Sequence, residues 1–198
     1  TNINKYKGEL MRTFSFKPSL TLKGRKFKGL RGSAGKPFHP PITTIPVGAY
    51  IIAPALDIVS FLNKDQAWAR DLFRASTFVL ICGGIISILA VITGLYDWKK
   101  STEKGTQARR TVNAHMAVMF VLSAIVLAGI IWRLNIFSDQ KYTSLGLLSI
   151  SIVIGVLVAI GGTIGGGLAY DYGFNVETAG DSPVWHKSEI DVMPGEHK

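Results

Sequence analysis

Four side chains in this sequence could do chemistry together: His39, Asp97, His115 and Asp171. The two histidines lie 76 positions apart, and the pairs Tyr96-Asp97 and Tyr170-Asp171 lie 74 apart. A Gly-Leu precedes each pair, as Gly94-Leu95 and Gly167-Leu168. Two neutral imidazoles brought to one axis can ligate haem iron. Joined by Asp97 and Asp171, they can instead make a histidine–carboxylate site for a divalent metal, or each carboxylate can fix an imidazole tautomer from behind. A structural assignment is equally open, in which His39 holds a helix end and His115 satisfies the Tyr-Asp corner. A fifth residue, Asp57, is the one charge in the run 42–62. An intramembrane carboxylate either serves a functional path or is neutralised, and Arg70 or Arg74 is its expected partner. A proton path through Asp57 would need a second buried ionisable group, which the apolar runs do not supply.

The elements that must position these residues follow from how charge is distributed. The 198 residues are 47% hydrophobic yet carry a net charge of +9, because the charges crowd into tails and loops. Residues 75–96 and 111–132 are uncharged runs of 22, and 142–170 is one of 29. Each meets or exceeds the ~20 residues that cross a ~30 Å hydrocarbon core. In lipid the backbone must satisfy its own hydrogen bonds, which selects helices. The expected fold is an all-α integral membrane protein, a bundle of four transmembrane helices over about 42–62, 75–96, 111–132 and 142–170. If the weak repeat is structural, it makes two αα-hairpins of like direction, related by a pseudo-twofold along the membrane normal. His39, Asp97, His115 and Asp171 then share one rim of the bundle.

Local signals refine this picture. Pro40 and Pro41 precede the first helix, Pro46 falls near its first turn, and Pro54 is interior and should kink it. Gly83-Gly84 with Ser87 gives the second helix a small face. In the fourth, Ser151, Gly155, Ala159 and the pairs Gly161/Gly165 and Gly162/Gly166 recur at four-residue spacing. Such spacing admits a close neighbouring backbone or a flat cofactor lying on the glycines.

The tails set orientation. Residues 1–41 form a basic arm with ten Lys/Arg against Glu9, and 171–198 form an acidic tail with six acids against Lys187 and Lys198. The loop 97–110 adds five more basic residues on the same side, so both termini are expected in the cytoplasm. The arm suits anionic headgroups or a partner subunit, and it can dock electrostatically on the acidic tail. Charge alone would also admit nucleic acid, but no nucleic-acid module supports it, and none is expected as a partner. His186 and His197 fall in the polar tail and are expected to be solvated. The single cysteine, Cys82, excludes an intrachain disulfide and reads as a packing residue. No nucleophile–base constellation or nucleotide fingerprint is visible. Gly161–Gly167 lies within a helix, not at a strand-to-helix phosphate turn. The chain is therefore read as non-enzymatic.

His39-Pro40, Ile45-Pro46-Val47-Gly48-Ala49, Thr93-Gly94-Leu95-Tyr96-Asp97, Ala108–His115 and the glycine-rich close of the fourth helix resemble a bacterial four-helix membrane family. That family is catalogued as domain-of-unknown-function family 2231. The likeness runs from about Lys36 to the end of the fourth helix, extending through Phe174–His186. Many members carry a second histidine in the His-Pro segment, where Thr44 stands here. The resemblance implies a four-helix fold in a bacterial inner membrane and a link to membrane electron transfer, with no established activity. Together these features lead to an accessory subunit of a larger redox complex, strapped to its partner by residues 1–41. The alternative is a haem b or metal-binding electron-transfer protein using His39 and His115.

Overall fold

The computed structural model describes residues 38–102 and 104–173. Most of the basic arm and of the acidic tail, with His186 and His197, lies outside the described residues. Within them the chain forms α1 (His39–Leu62), α2 (Ala69–Ser101), α3 (Gln107–Asn135) and α4 (Leu145–Tyr170). All four are long and apolar enough to cross a membrane, and no strand occurs among the described residues. The expected all-helical, four-span architecture is the one observed.

The helices do not end where the uncharged runs end. α2 begins six residues before Ala75 and continues five past Tyr96, and α3 continues three past Trp132. Charged side chains are tolerated there because their long stems reach the interface. Asp71 in the first turn of α2 and Lys99 and Lys100 in its last also complement the helix dipole. α4 starts at Leu145, three residues later than Tyr142, because the Ser144 side chain caps it by accepting from the Leu147 N–H at 3.4 Å. Thr106 caps α3 in the same way, accepting from the Arg109 N–H at 3.2 Å. Pro40 and Pro41 occupy the first turn of α1 instead of preceding it, where no amide donor is needed. α1 remains one helix through Pro46 and Pro54.

The helices pack as a ring, α1 to α2 to α3 to α4 and back to α1, with α1·α2 the most extensive pair and α2·α3 the least. The diagonal pairs do not meet at backbone distance. Glycines set the close approaches. A Cβ on Gly83 would sit 2.6 Å from the Ala49 Cβ, and one on Gly161 would sit 2.6 Å from the Met119 Sδ. Gly155 faces Pro54 in the same manner at 3.4 Å. The small-residue stripe of α4 is thus largely a packing surface. Tyr50, Ala53, Leu80, Leu122, Val126 and Ile154 fill the core between. Ile52, Phe78, Ile85, Ile92, Leu127 and Val156 face outward, as side chains solvated by lipid do.

Where α1 ends and α2 begins, one buried polar node ties all four helices. Asp57 of α1 and Arg133 of α3 form an ion pair with side-chain exposures of 0% and 1%. Arg133 also donates to Ser151 of α4 at 2.9 Å and to Thr77 of α2 at 3.3 Å. The carboxylate accepts further from Ser151 and, at 2.8 Å, from the Thr143 hydroxyl. The guanidinium lies 5.5 Å from the Phe73 ring centroid. Nearby, Ser60 donates to the Ala69 carbonyl at 2.7 Å and accepts from the Thr143 N–H at 2.9 Å. This corrects the expected pairing of Asp57. Arg70 donates instead to the Ser138 carbonyl at 2.6 Å, and Arg74 lies 5.4 Å from the Phe137 ring centroid. The extra helical turn of α3 carries Arg133 inside the bundle, where an unpaired Asp57 would be costly.

Candidate functional site: a histidine-lined cavity within the bundle

The opposite end of the bundle, where α1 and α3 begin, encloses a cavity of about 420 Å³ lined by all four helices. Its walls are mainly apolar, among them Val47, Val91, Met116 and Val158. Size and lining fit the general character of small-molecule sites.

His39 and His115 both line it, and each is held by the helix that follows its own. The His39 ring rests on Gly94 of α2, its Cε1 2.8 Å from where a Cβ would be. The His115 ring rests on Gly165 of α4 with the corresponding distance 3.1 Å. His39 Nδ1 lies 3.1 Å from the Thr93 hydroxyl oxygen. That hydroxyl turns its single proton back on its own helix, where the Leu89 and Ala90 carbonyls lie at 2.9 and 3.0 Å. Its oxygen must therefore accept, and Nδ1 carries the hydrogen. His115 Nδ1 lies 2.9 Å from the Gly161 carbonyl oxygen, which can only accept, so Nδ1 donates there too. Both neutral rings are thereby held as the Nδ1–H tautomer, and His39 also meets the Ala90 backbone.

Of the residues singled out by sequence, the structure gathers His39, His115 and Asp97 around this cavity. Asp97 is buried. Asp171 caps the same end of the bundle but is exposed and does not line the cavity. Asp57 belongs to the polar node at the far end. His115 bonds Gly161 and not the Tyr170-Asp171 corner. Among the described residues, no group of three or more His, Cys, Asp or Glu side chains is placed to hold a metal ion.

The rim is braced by an arginine. The Arg109 guanidinium stacks 3.8 Å from the Trp98 ring centroid and donates to the Trp98 carbonyl at 2.8 Å and to the Thr102 hydroxyl. Trp98 Nε1 in turn donates to Asn113 at 2.8 Å, closing the α2–α3 corner. Two cavity-side residues were given no site role by the sequence reading, although Thr93 stands in its Thr93–Asp97 motif. Thr93 orients His39, and Tyr50, 2% exposed, lies deeper along α1. The available signal for Tyr50 was a polar-tipped aromatic well inside an apolar span, away from the interface such residues favour.

Chemically, the arrangement places two imidazoles held at Nδ1 on the wall of a mainly apolar chamber. Neither a curated protein nor a solved structure matches the chain. Residues 35–178 match the family described as "Predicted membrane protein (DUF2231)", and the chain belongs to that family.

Proposed function

We propose that this protein is a membrane electron-transfer subunit that holds haem b through His39 and His115. The observation that carries the reading is a pair of imidazoles, each anchored at Nδ1, that line one mainly apolar cavity. A bare divalent ion usually asks the protein for three or more donors. Haem needs fewer donors from the protein, and His39 and His115 would supply them. This favours haem over the His39, His115, Asp97 and Asp171 metal set. When bound, the haem would supply one-electron redox chemistry.

The chain's own residues have definable tasks. Thr93 and the Gly161 carbonyl lock tautomer and ring plane, as outer partners of ligating histidines do. Gly94 and Gly165 let the rings lie flush against their helices. The apolar walls exclude water and lower the local dielectric, which helps set the potential. Both histidines lie at one end of the bundle. By the positive-inside rule that end faces the cytoplasm of a bacterial inner membrane. A cofactor site confined to that end would suit electron exchange along one face of the membrane, as in a subunit of a larger redox assembly. The ten Lys/Arg of residues 1–41 suit an anionic partner surface. The test is an absorption spectrum of protein purified from native membranes, before and after dithionite. A Soret band that sharpens on reduction and is lost in His39→Ala and His115→Ala is expected. No Soret band and no bound iron would end the haem reading. Removal of residues 2–36 that leaves every co-purifying subunit in place would end the strap reading.

A further inference from the structure

At the end of the bundle away from the cavity, two arginines of α2 stand together without an acid. Arg70 and Arg74 are four residues apart, which puts them on one helix face with their Cβ atoms about 6 Å apart. Neither guanidinium forms an ion pair among the described residues. Like charges at this spacing repel, yet both side chains are held toward the α3–α4 turn. Arg70 Nη2 donates to the Ser138 carbonyl at 2.6 Å, and the Arg74 guanidinium lies 5.4 Å from the centroid of the adjacent Phe137 ring. Phe137 is itself fixed, tilted against Phe73 at 6.2 Å and edge-on to Phe78 at 5.6 Å.

Most of the donors on these two side chains are unspent. Each Nε packs against protein with no acceptor, so solvation of the cation must come through its Nη groups. Arg74 makes no hydrogen bond among the described residues, and Arg70 makes the one to Ser138. The remaining Nη atoms are not buried. Arg74 lies five residues into α2, ~7 Å along the axis, just inside the exposed Trp68 that marks the interface. A guanidinium so placed reaches back to headgroup level. Phe78, one turn deeper on the same face, is exposed, and so is Ile85 two turns further on. An anion at the arginines therefore has an apolar wall beneath it.

We infer that Arg70 and Arg74 clasp the phosphate of an anionic phospholipid, whose acyl chains descend along Phe78 and Ile85. The planar fork of arginine meets phosphate oxygens two at a time, and one anion shared by two guanidiniums relieves their repulsion. A soluble phosphate offers the same oxygens but makes no use of the apolar wall. A zwitterionic headgroup brings an ammonium that the pair repels. The site lies in the leaflet opposite the cavity and stands whether or not the histidines hold a cofactor. It joins α2 to the α3–α4 turn beside the Asp57–Arg133 node, because the Phe73 ring lies against both Phe137 and the Arg133 guanidinium.

The experiment uses the full chain, delipidated in detergent and titrated separately with dioleoylphosphatidylglycerol, dioleoylphosphatidylcholine and inorganic phosphate. Native mass spectrometry counts the adducts retained. Phosphatidylglycerol should be held more tightly than phosphatidylcholine. Arg70→Gln and Arg74→Gln should each weaken its retention about tenfold. Arg74→Lys, which keeps the charge and loses the fork, should weaken it less. Lys64→Gln removes an exposed cation at the same end of the bundle and should leave retention unchanged. Circular dichroism follows helix content throughout, and if Arg74→Gln loses helix, Arg74→Lys carries the test. Equal retention of the two lipids, or a loss in Lys64→Gln as large as in Arg74→Gln, overturns the inference. Inorganic phosphate bound at the two arginines, with no preference for phosphatidylglycerol, assigns a soluble anion and overturns the lipid.

Discussion

Asp57 and Arg133 meet across the diagonal of the helix ring, although α1 and α3 do not approach at backbone distance. Two long-range side chains do what the backbones cannot, and Thr77 and Ser151 bring the remaining helices to the same point. Taking one member away strands the other in a dry interior. Arg133→Met should therefore cost ~3–5 kcal/mol. The double variant Asp57→Asn, Arg133→Met should recover part of that loss, because no charge is left unpaired. Unfolding of detergent-solubilised protein by added SDS measures both, and a double variant no more stable than Arg133→Met would show that the pair is not acting as a unit.

Gly83 and Gly162 make a matched pair of tests for the packing. A Cβ on Gly83 collides at 2.6 Å with the Ala49 Cβ, an atom fixed to its backbone, whereas one on Gly162 meets nothing within 4 Å. Gly83→Ala should destabilise by ~1–3 kcal/mol, while Gly162→Ala should stay within about 0.5 kcal/mol of the parent. The same unfolding assay ranks them, and equal losses would contradict the asymmetry.

The histidine seats can be probed without touching the imidazoles. Gly94→Ala pushes a methyl to 2.8 Å from His39 and Gly165→Ala to 3.1 Å from His115. Cofactor occupancy, read from the Soret-to-protein absorbance ratio, should fall in both and further in Gly94→Ala. Thr93→Val removes the acceptor that fixes the His39 tautomer and should shift the midpoint potential while leaving helix content unchanged. An unchanged potential would deny Thr93 a role toward the cofactor.

Orientation yields to chemical labelling. In a Cys82→Ser background, Lys104→Cys in the α2–α3 loop should react with an impermeant maleimide only from the cytoplasmic side. Lys64→Cys, in the α1–α2 loop, should react only from the opposite side. The reverse pattern would invert the topology, and with it the face that the cavity serves.

The fold was readable because its signal is coarse: uncharged runs of the right length admit one solution in lipid. The gathering of His39, His115 and Asp97 at one cavity followed from hairpins that return to the same side. What could not be read depends on side chains crossing between helices. Arg133 is 76 positions from Asp57 and sits just past the last uncharged residue of its run, so hydropathy places it in a loop. Only the extra turn of α3, and the volume left between four helices, brings it inside. The roles of Thr93 and Tyr50 could not be read for a related reason: a hydroxyl in an apolar span looks the same whether it bonds its own backbone or orients a neighbour. The start of α4 was a plain miss: the helix was expected from about Tyr142, although Ser144 ahead of a long apolar run is an ordinary capping signal.

The unequal ends of the ring bear on how an occupant could come and go. With all four helices fastened through Asp57 and Arg133 at one end, and the α2–α3 corner at the other held by Arg109, Trp98 and Asn113 nearer the surface, the arrangement is that of a cantilever, clamped at its base and more lightly held at its tip. Bending of the free halves would widen the chamber without disturbing the clamp, so turnover of a bound molecule need not approach unfolding. Amide exchange should then run as a gradient along each helix, slowest beside the ion pair and fastest at the rim.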